Sequence, residues 1–182
     1  MSVALLIIDQ QQGIDHPKWG PRNNPQAGDV ILAVLASWRE RDWPVFHIVH
    51  RSAEPDSVFW PGQAGYELKA AFQALKGEYL IEKSVPCAFV NNSIEQQLND
   101  LNVESIVIVG AATNNSVEST ARTAGNLGFK VTILEDACFC FDKADYFGSK
   151  RSAREVHAMS LANLHDEYAT VMHSNTYLTK FS

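Results

Sequence analysis

The feature that most constrains this fold is a set of short apolar runs with no polar residue inside them. Val3–Ile8 reads Val-Ala-Leu-Leu-Ile-Ile and stops at Asp9. Ile106, Val107, Ile108 and Val109 stand in a row and stop at Gly110. A strand with one wet face alternates polar and apolar side chains, so unbroken runs mean burial on both faces. With these two, over 3–8 and 105–109, strands are expected at 44–49, 79–82, 129–134 and 168–172. The stretches between them carry apolar residues at helical spacing. Val30, Ile31, Val34, Leu35 and Trp38 form one such set, closed by charge at 39–42. Residues 66–75, the Ile94, Leu98 and Leu101 set, residues 116–127 before Gly128, and Ala153–Leu164 form the others. Residues 10–27, 51–64 and 137–149 read as loops. Strand–helix alternation along a whole chain predicts parallel strands covered by helices. The expected fold is α/β: a three-layer sandwich whose central, mostly parallel, six-stranded Rossmann-like sheet has helices on both faces. A single domain over 1–182 is expected.

Composition removes several function classes. Hydrophobic residues make up 46% and charged residues 20%, enough for a packed core rather than a disordered chain. Lys plus Arg number 15 against 21 Asp plus Glu, a net charge of −6. That balance lacks the electrostatic footprint of a nucleic-acid binder. No basic amphipathic helix and no apolar run of about 18 residues occurs, so no membrane partner is expected. The N-terminal segment has no basic region, and its apolar run is too short for a secretory signal. The cysteines, Cys87, Cys138 and Cys140, are odd in number and lack paired spacing, which points to a reducing, cytoplasmic setting.

Parallel sheets bind ligands beyond the carboxyl ends of their strands, near a switch in strand order. The residues to read are therefore Asp9, His50, Lys83, Gly110 with the residues after it, and Asp136. Asp9 follows buried apolar residues, a costly place for a charge without a partner, although a turn or cap would also explain it. Lys83 alone is an ordinary solvated charge. Together the two can meet over one sheet edge as a proton-handling pair. Residues 110–117, Gly-Ala-Ala-Thr-Asn-Asn-Ser-Val, form a strand-to-helix turn of small and polar residues. Thr113, Asn114 and Ser116 suit helix capping; Ser116 also suits a nucleophile or an oxyanion-binding turn. No glycine-rich nucleotide motif occurs. His47 and His50 lie three apart on a strand and face opposite sides, and His157 and His165 read as surface or core-edge residues. Neither a metal nor another cofactor is expected.

These residues resemble the isochorismatase-like cysteine hydrolases over about residues 3–173. Members begin with an apolar strand ending in Asp and Gln, as in Ile7-Ile8-Asp9-Gln10-Gln11. They carry a Lys after the third strand, matching Glu82-Lys83-Ser84, and a Gly-x-x-Thr-x-x-Cys-Val turn followed by Thr-Ala-Arg. Here that turn reads Gly110, Thr113, Ser116 and Val117, then Thr120-Ala121-Arg122; Asp136-Ala137 and the residues from His157 to Leu164 also fit. The resemblance implies that Asp9 takes a proton, Lys83 stabilises charge and residue 116 attacks an amide carbonyl. It also implies a cis peptide between Ala111 and Ala112, with backbone N–H groups of Ala112 and Ser116 aimed at an oxyanion. A homodimer or larger homo-oligomer acting on a small molecule is implied.

The departure is at the nucleophile, where Ser116 replaces Cys. A thiol with a reference pKa near 8.5 can fall to roughly 3.5–7.5 at a helix N-terminus; a hydroxyl starts far higher and needs a general base at the moment of attack. Cys87 sits off the turn and reads as a packing residue. The leading expectation is a hydrolase of an amide, carbamoyl or related C–N or C–O bond at Asp9, Lys83 and Ser116. The alternatives are a degenerate member that only binds a ligand or partner, and non-covalent vinyl ether hydrolysis with Asp9 as general acid, as the resemblance to true isochorismatases suggests. The loops holding Trp19-Gly20-Pro21-Arg22 and Phe59-Trp60-Pro61-Gly62, with Phe89, Phe139 and Phe141, are expected to rim the pocket, Trp60 and Phe89 among the substrate contacts. Nicotinamidases of the family carry metal-binding residues after the second strand; His50-Arg51-Ser52-Ala53-Glu54 departs from that pattern, so nicotinamidase activity is not expected.

Overall fold

Six strands form one sheet: β1 (Val3–Ile8), β2 (Val45–His50), β3 (Tyr79–Lys83), β4 (Ser105–Ala111), β5 (Lys130–Phe139) and β8 (Thr170–Met172). Their order is β3-β2-β1-β4-β5-β8, and every pairing in that sheet is parallel. The structure is a computed structural model that describes residues 3–181. Met1, Ser2 and Ser182, which the expected 1–182 domain includes, lie outside the described residues. The chain steps outward from β1 to β2 to β3, then returns to lay β4 on the other flank of β1. That reversal is the switch point, and it falls between β1 and β4.

The unbroken apolar runs are explained by two cores. Along β1, Ala4, Leu6 and Ile8 face one side and Val3, Leu5 and Ile7 the other. The first side is covered by α2 (Ile94–Asp100), α3 (Glu118–Asn126) and α4 (Ala153–Leu164), through residues such as Leu98, Ala121 and Leu164. The second is covered by α1 (Ala27–Glu40) and α5 (Ser174–Leu178), through Ile31, Val34, Leu35, Trp38 and Tyr177. Those α1 residues are the ones whose spacing predicted the helix. Serine 152 and Glu155 close a reciprocal capping box at the start of α4. No helix among the described residues is long and apolar enough to cross a membrane.

Three expectations fail locally. Residues 66–75 form no α-helix, only 3₁₀ turns at Ala64–Tyr66 and Ala70–Phe72. Leu68 between them is held in a bridge to Gln11, and a short helix without a packed face is marginal. Strand β5 runs to Phe139 rather than stopping before Glu135; its pairing with β4 jumps across a bulge and resumes at Gly110 and Cys138. The rest of the expected 137–149 loop includes a strand of the small hairpin formed by β6 (Lys143–Ala144) and β7 (Lys150–Arg151). Finally, Gly110 does not end β4 but lies within it. Its φ is +118°, and a Cβ there would sit 2.2 Å from the Ile8 carbonyl oxygen. Only glycine lets the end of β4 approach the end of β1 this closely, which brings the following turn beside Asp9.

Candidate active site

Parallel strands deliver their carboxyl ends to one edge of the sheet. Asp9 follows β1 directly, His50 ends β2, Lys83 ends β3, and the turn after β4 carries Ser116. Lys83 is 2% exposed and Asp9 5%. The Lys83 Nζ donates to Asp9 Oδ2 at 2.9 Å and to Ser116 Oγ at 3.2 Å, with His50 Nδ1 3.5 Å away. An ammonium has three donors, and here three acceptors surround it. A buried ion pair is a weak device for stability, because desolvation offsets much of the attraction. Asp9 keeps one carboxylate oxygen, Oδ1, buried and without a hydrogen-bond partner among the described residues.

The turn after β4 is not a capped helix start. Residues Thr113–Val117 form a single π-helical turn, and α3 begins after it with no side-chain cap. The hydroxyls that would suit capping are used elsewhere: Ser116 meets Lys83, and Thr113 Oγ1 lies 2.8 Å from His157 Nδ1. Ser160 Oγ on α4 bonds the Thr113 carbonyl as well, so α4 holds the turn from below. The Ala111–Ala112 peptide is cis.

A cavity of about 230 Å³ opens onto this edge, lined among others by Asp9, His50, Asn115, Ser116 and Ala112. Its apolar walls are Ile14, Trp19, Phe59, Pro86 and Phe141. Trp19 lies between two of them, its ring 6.0 Å from Phe59 and 5.9 Å from Phe141, and its indole N–H donates to the Gly13 carbonyl. No lysine or arginine is among the lining residues. A larger groove of about 810 Å³ runs along α4 and the β6–β7 hairpin and contains none of the four strand-end groups.

Of the expected rim, Trp19, Phe59 and Phe141 reach the cavity. Trp60 is half-buried beside Phe59 without lining it. Phe89 packs against Phe129 at 6.1 Å, on the core side of the sheet. Both corrections have one cause: neighbours in a loop point to different sides, and spacing on an irregular segment does not say which. Phe139 is buried under the Arg22 guanidinium. Asp136 bonds the Ser174 N–H and hydroxyl and so anchors α5 instead of reaching the cavity. The cysteines offer no substitute nucleophile there. Cys87 Sγ meets Thr123 Oγ1 at 3.2 Å; burial pushes the Cys138 thiol far up and the Cys140 thiol to about 11.

Two residues have a larger part in the site than the sequence assigns them. His50 was flagged only by its place at a strand end, yet it lines the cavity and faces Lys83. Burial, and next the Lys83 charge, lower its imidazole below the ordinary value while Asp9 pulls the other way, so the ring is neutral near pH 7. Gln11 clamps it: the Gln11 side chain accepts from the His50 N–H and donates to the His50 carbonyl. The signal was the glutamine run after Asp9, an unusual content for a solvent loop.

Comparison with known proteins places these features. Residues 3–176 match the Isochorismatase domain family. The chain is 47% identical to an isochorismatase-family protein from Chromobacterium violaceum whose crystal structure it overlays with a TM-score of 0.95, covering 98% of this chain and 92% of that one. It is 36% identical over 178 residues to the isochorismatase family protein YrdC of Bacillus subtilis, covering 98% of this chain and 95% of that one. Ureidoacrylate amidohydrolase RutB of Acinetobacter baylyi is 27% identical over 116 residues, 64% of this chain and 43% of its own.

Proposed function

Since this chain belongs to the isochorismatase family, with Asp9 and Lys83 joined over the cavity floor, we propose that it hydrolyses a small, uncharged amide, carbamoyl or related bond with Ser116 as the attacking group. The observation that carries this reading is the position of Lys83 Nζ, within hydrogen-bond reach of both Asp9 and Ser116. The amidohydrolase relative supports an amide-type bond. The cavity walls support an uncharged substrate, because they hold aromatic and aliphatic groups and no lysine or arginine to pair with a carboxylate.

In this reading Ser116 Oγ attacks the carbonyl carbon. Lys83 first passes a proton to a neighbouring base, and the amine so freed takes the Ser116 proton, which leaves an ammonium beside the developing charge. Asp9 is the acceptor that family membership implies. The Ala112 and Ser116 backbone N–H groups stabilise the oxyanion. The proton returns to the leaving nitrogen, and water then releases the acyl group by the reverse relay.

A second reading has one observation in its favour. Asp9 Oδ1 lacks a partner and Asp9 lines the cavity, which suits direct acid–base work by Asp9 without a covalent step. A panel of small amides, carbamoyl amines, esters and isochorismate, run with the wild type, Ser116→Ala and Ser116→Cys, separates the two. Loss of wild-type turnover in Ser116→Ala is the expected result. Retained turnover in that variant supports the Asp9 mechanism. Turnover by Ser116→Cys alone makes the native chain a binder.

A further inference from the structure

A serine at this position raises a problem that Asp9 does not solve. A carboxylate is a weaker base toward a hydroxyl than a nitrogen base is. The site holds a second base. The His50 imidazole lines the same cavity, its Nδ1 lies 3.5 Å from Lys83 Nζ, and its ring stands edge-on to Phe59 at 5.7 Å. Its backbone is pinned on both sides by Gln11, so the ring is held at the end of β2. The charged groups facing it are Lys83 from β3 and Asp9 from the end of β1.

We propose that His50 is the base that serves Ser116, receiving its proton through Lys83, while Asp9 holds Lys83 in place. This rests on the reading of Ser116 as the attacking group. Lys83 Nζ gives a proton to His50 Nδ1, the amine lone pair so freed takes the Ser116 Oγ–H proton, and the Oγ–carbon bond forms as the carbonyl π bond opens. The products of that step are an imidazolium, an unchanged ammonium and a tetrahedral oxyanion. The imidazolium proton then goes to the leaving nitrogen as its bond to carbon breaks. Water then bonds to the acyl carbon as its proton passes to His50, and the Oγ–carbon bond breaks as that proton returns to Ser116. The balance closes without any co-reactant besides water. A nitrogen base with a reference pKa near 6.5 removes a hydroxyl proton more readily than a carboxylate does. Burial keeps the ring in its neutral, accepting form near pH 7.

The test uses phenylmethanesulfonyl fluoride, a small neutral probe whose reaction does not depend on knowing the substrate. Ser116 Oγ bonds to sulfur, fluoride leaves and His50 takes the proton. Intact-protein and peptide mass spectrometry give the rate of adduct formation on Ser116 against pH. The wild type is expected to show an acid limb that sets in below the ordinary imidazole range, where protonation silences the ring. His50→Asn, which keeps a polar acceptor toward Lys83 without a basic nitrogen, is expected to react roughly a hundredfold more slowly and without that limb. In the Ser116→Cys background the same substitution is expected to change the rate by less than about threefold, because a thiol needs little general-base help. His50→Gln serves as the alternative variant, with thermal melts showing that each protein is folded. An Asn variant reacting at the wild-type rate overturns the proposal and leaves Ser116 as the nucleophile. Absence of any wild-type adduct on Ser116 overturns the nucleophile reading itself, and this proposal with it.

Discussion

Lys83 Nζ and Asp9 Oδ2 lie 2.9 Å apart, though their residues are 74 positions apart in the chain. The pair exists because β1 and β3 are parallel strands on either side of β2, so their last residues arrive at one edge. Both side chains are almost wholly removed from water.

Removing one partner leaves the other as an uncompensated buried charge. Lys83→Met is expected to destabilise by about 3–5 kcal/mol in urea unfolding. The double variant Asp9→Leu with Lys83→Met is expected to recover most of that loss, since apolar replacements of a buried pair are often neutral or stabilising. Both proteins should lack turnover. A double variant as unstable as the single one would show that packing, not charge, holds this edge together.

Gly110→Ala tests the close approach of β4 to β1. The added Cβ would meet the Ile8 carbonyl at 2.2 Å, in a backbone conformation that alanine avoids. A loss of at least about 2 kcal/mol is expected from that strain. Activity should fall further than stability alone explains, because the turn carrying Ser116 would move. An alanine variant with wild-type unfolding would contradict the structure at this point.

The cavity walls make a contrast between neighbours. Trp19→Ala should raise KM strongly, because the indole is one wall and supports Phe59 and Phe141. Trp60→Ala should leave KM nearly unchanged, since Trp60 does not line the cavity. Isochorismate, a dicarboxylate, should be a poor substrate beside uncharged amides, and nicotinamide should give no nicotinic acid at an ordinary enzymatic rate. Steady-state kinetics on one substrate panel reads all four.

Acid should unfold the protein in two stages. Burial lowers the His47 imidazole against the pull of Glu78, so the folded state resists a proton that the unfolded chain takes up near pH 6.5. Stability is therefore lost as pH falls below that value. Burial pushes the Glu78 carboxyl up, but Arg39, the Leu75 N–H and His47 outweigh it and hold it at about 2, against an ordinary 4.5. Stability is present above 4.5 and is lost as pH falls toward 2. Denaturant midpoints measured from pH 7 to pH 3 should decline in both windows, and Glu78→Gln should flatten the lower one.

His157→Leu probes the support beneath the turn. It leaves the Thr113 hydroxyl buried without its partner, an expected loss of about 1–3 kcal/mol. Pairing it with Thr113→Val should restore part of that loss, because both polar groups then go together. Chemical denaturation of the two variants distinguishes a bonded pair from incidental contact.

The sequence by itself determined the six strands of the sheet and helices α1 to α4 in chain order, the double burial of the sheet and the family. Apolar runs such as Val3–Ile8 and the helical spacing of Ile31, Val34, Leu35 and Trp38 are local records of solvent exposure, and burial is what they encode. Asp9 and Lys83 were legible because each stands at the end of a strand run, and Ser116 because it lies in the motif turn that follows one. Only the tertiary structure decided which loop side chains share the cavity. Trp19, Phe59 and Phe141 reach it while Trp60 and Phe89 do not, because irregular backbone has no period from which a direction can be read. It also decided that His50 faces Lys83, since that contact depends on the register of β2 against β3. It placed Leu68 in a bridge to Gln11, overriding a helical pattern too short to stand without packing. Local sequence records how often a residue meets water; only the folded chain says which residue meets which.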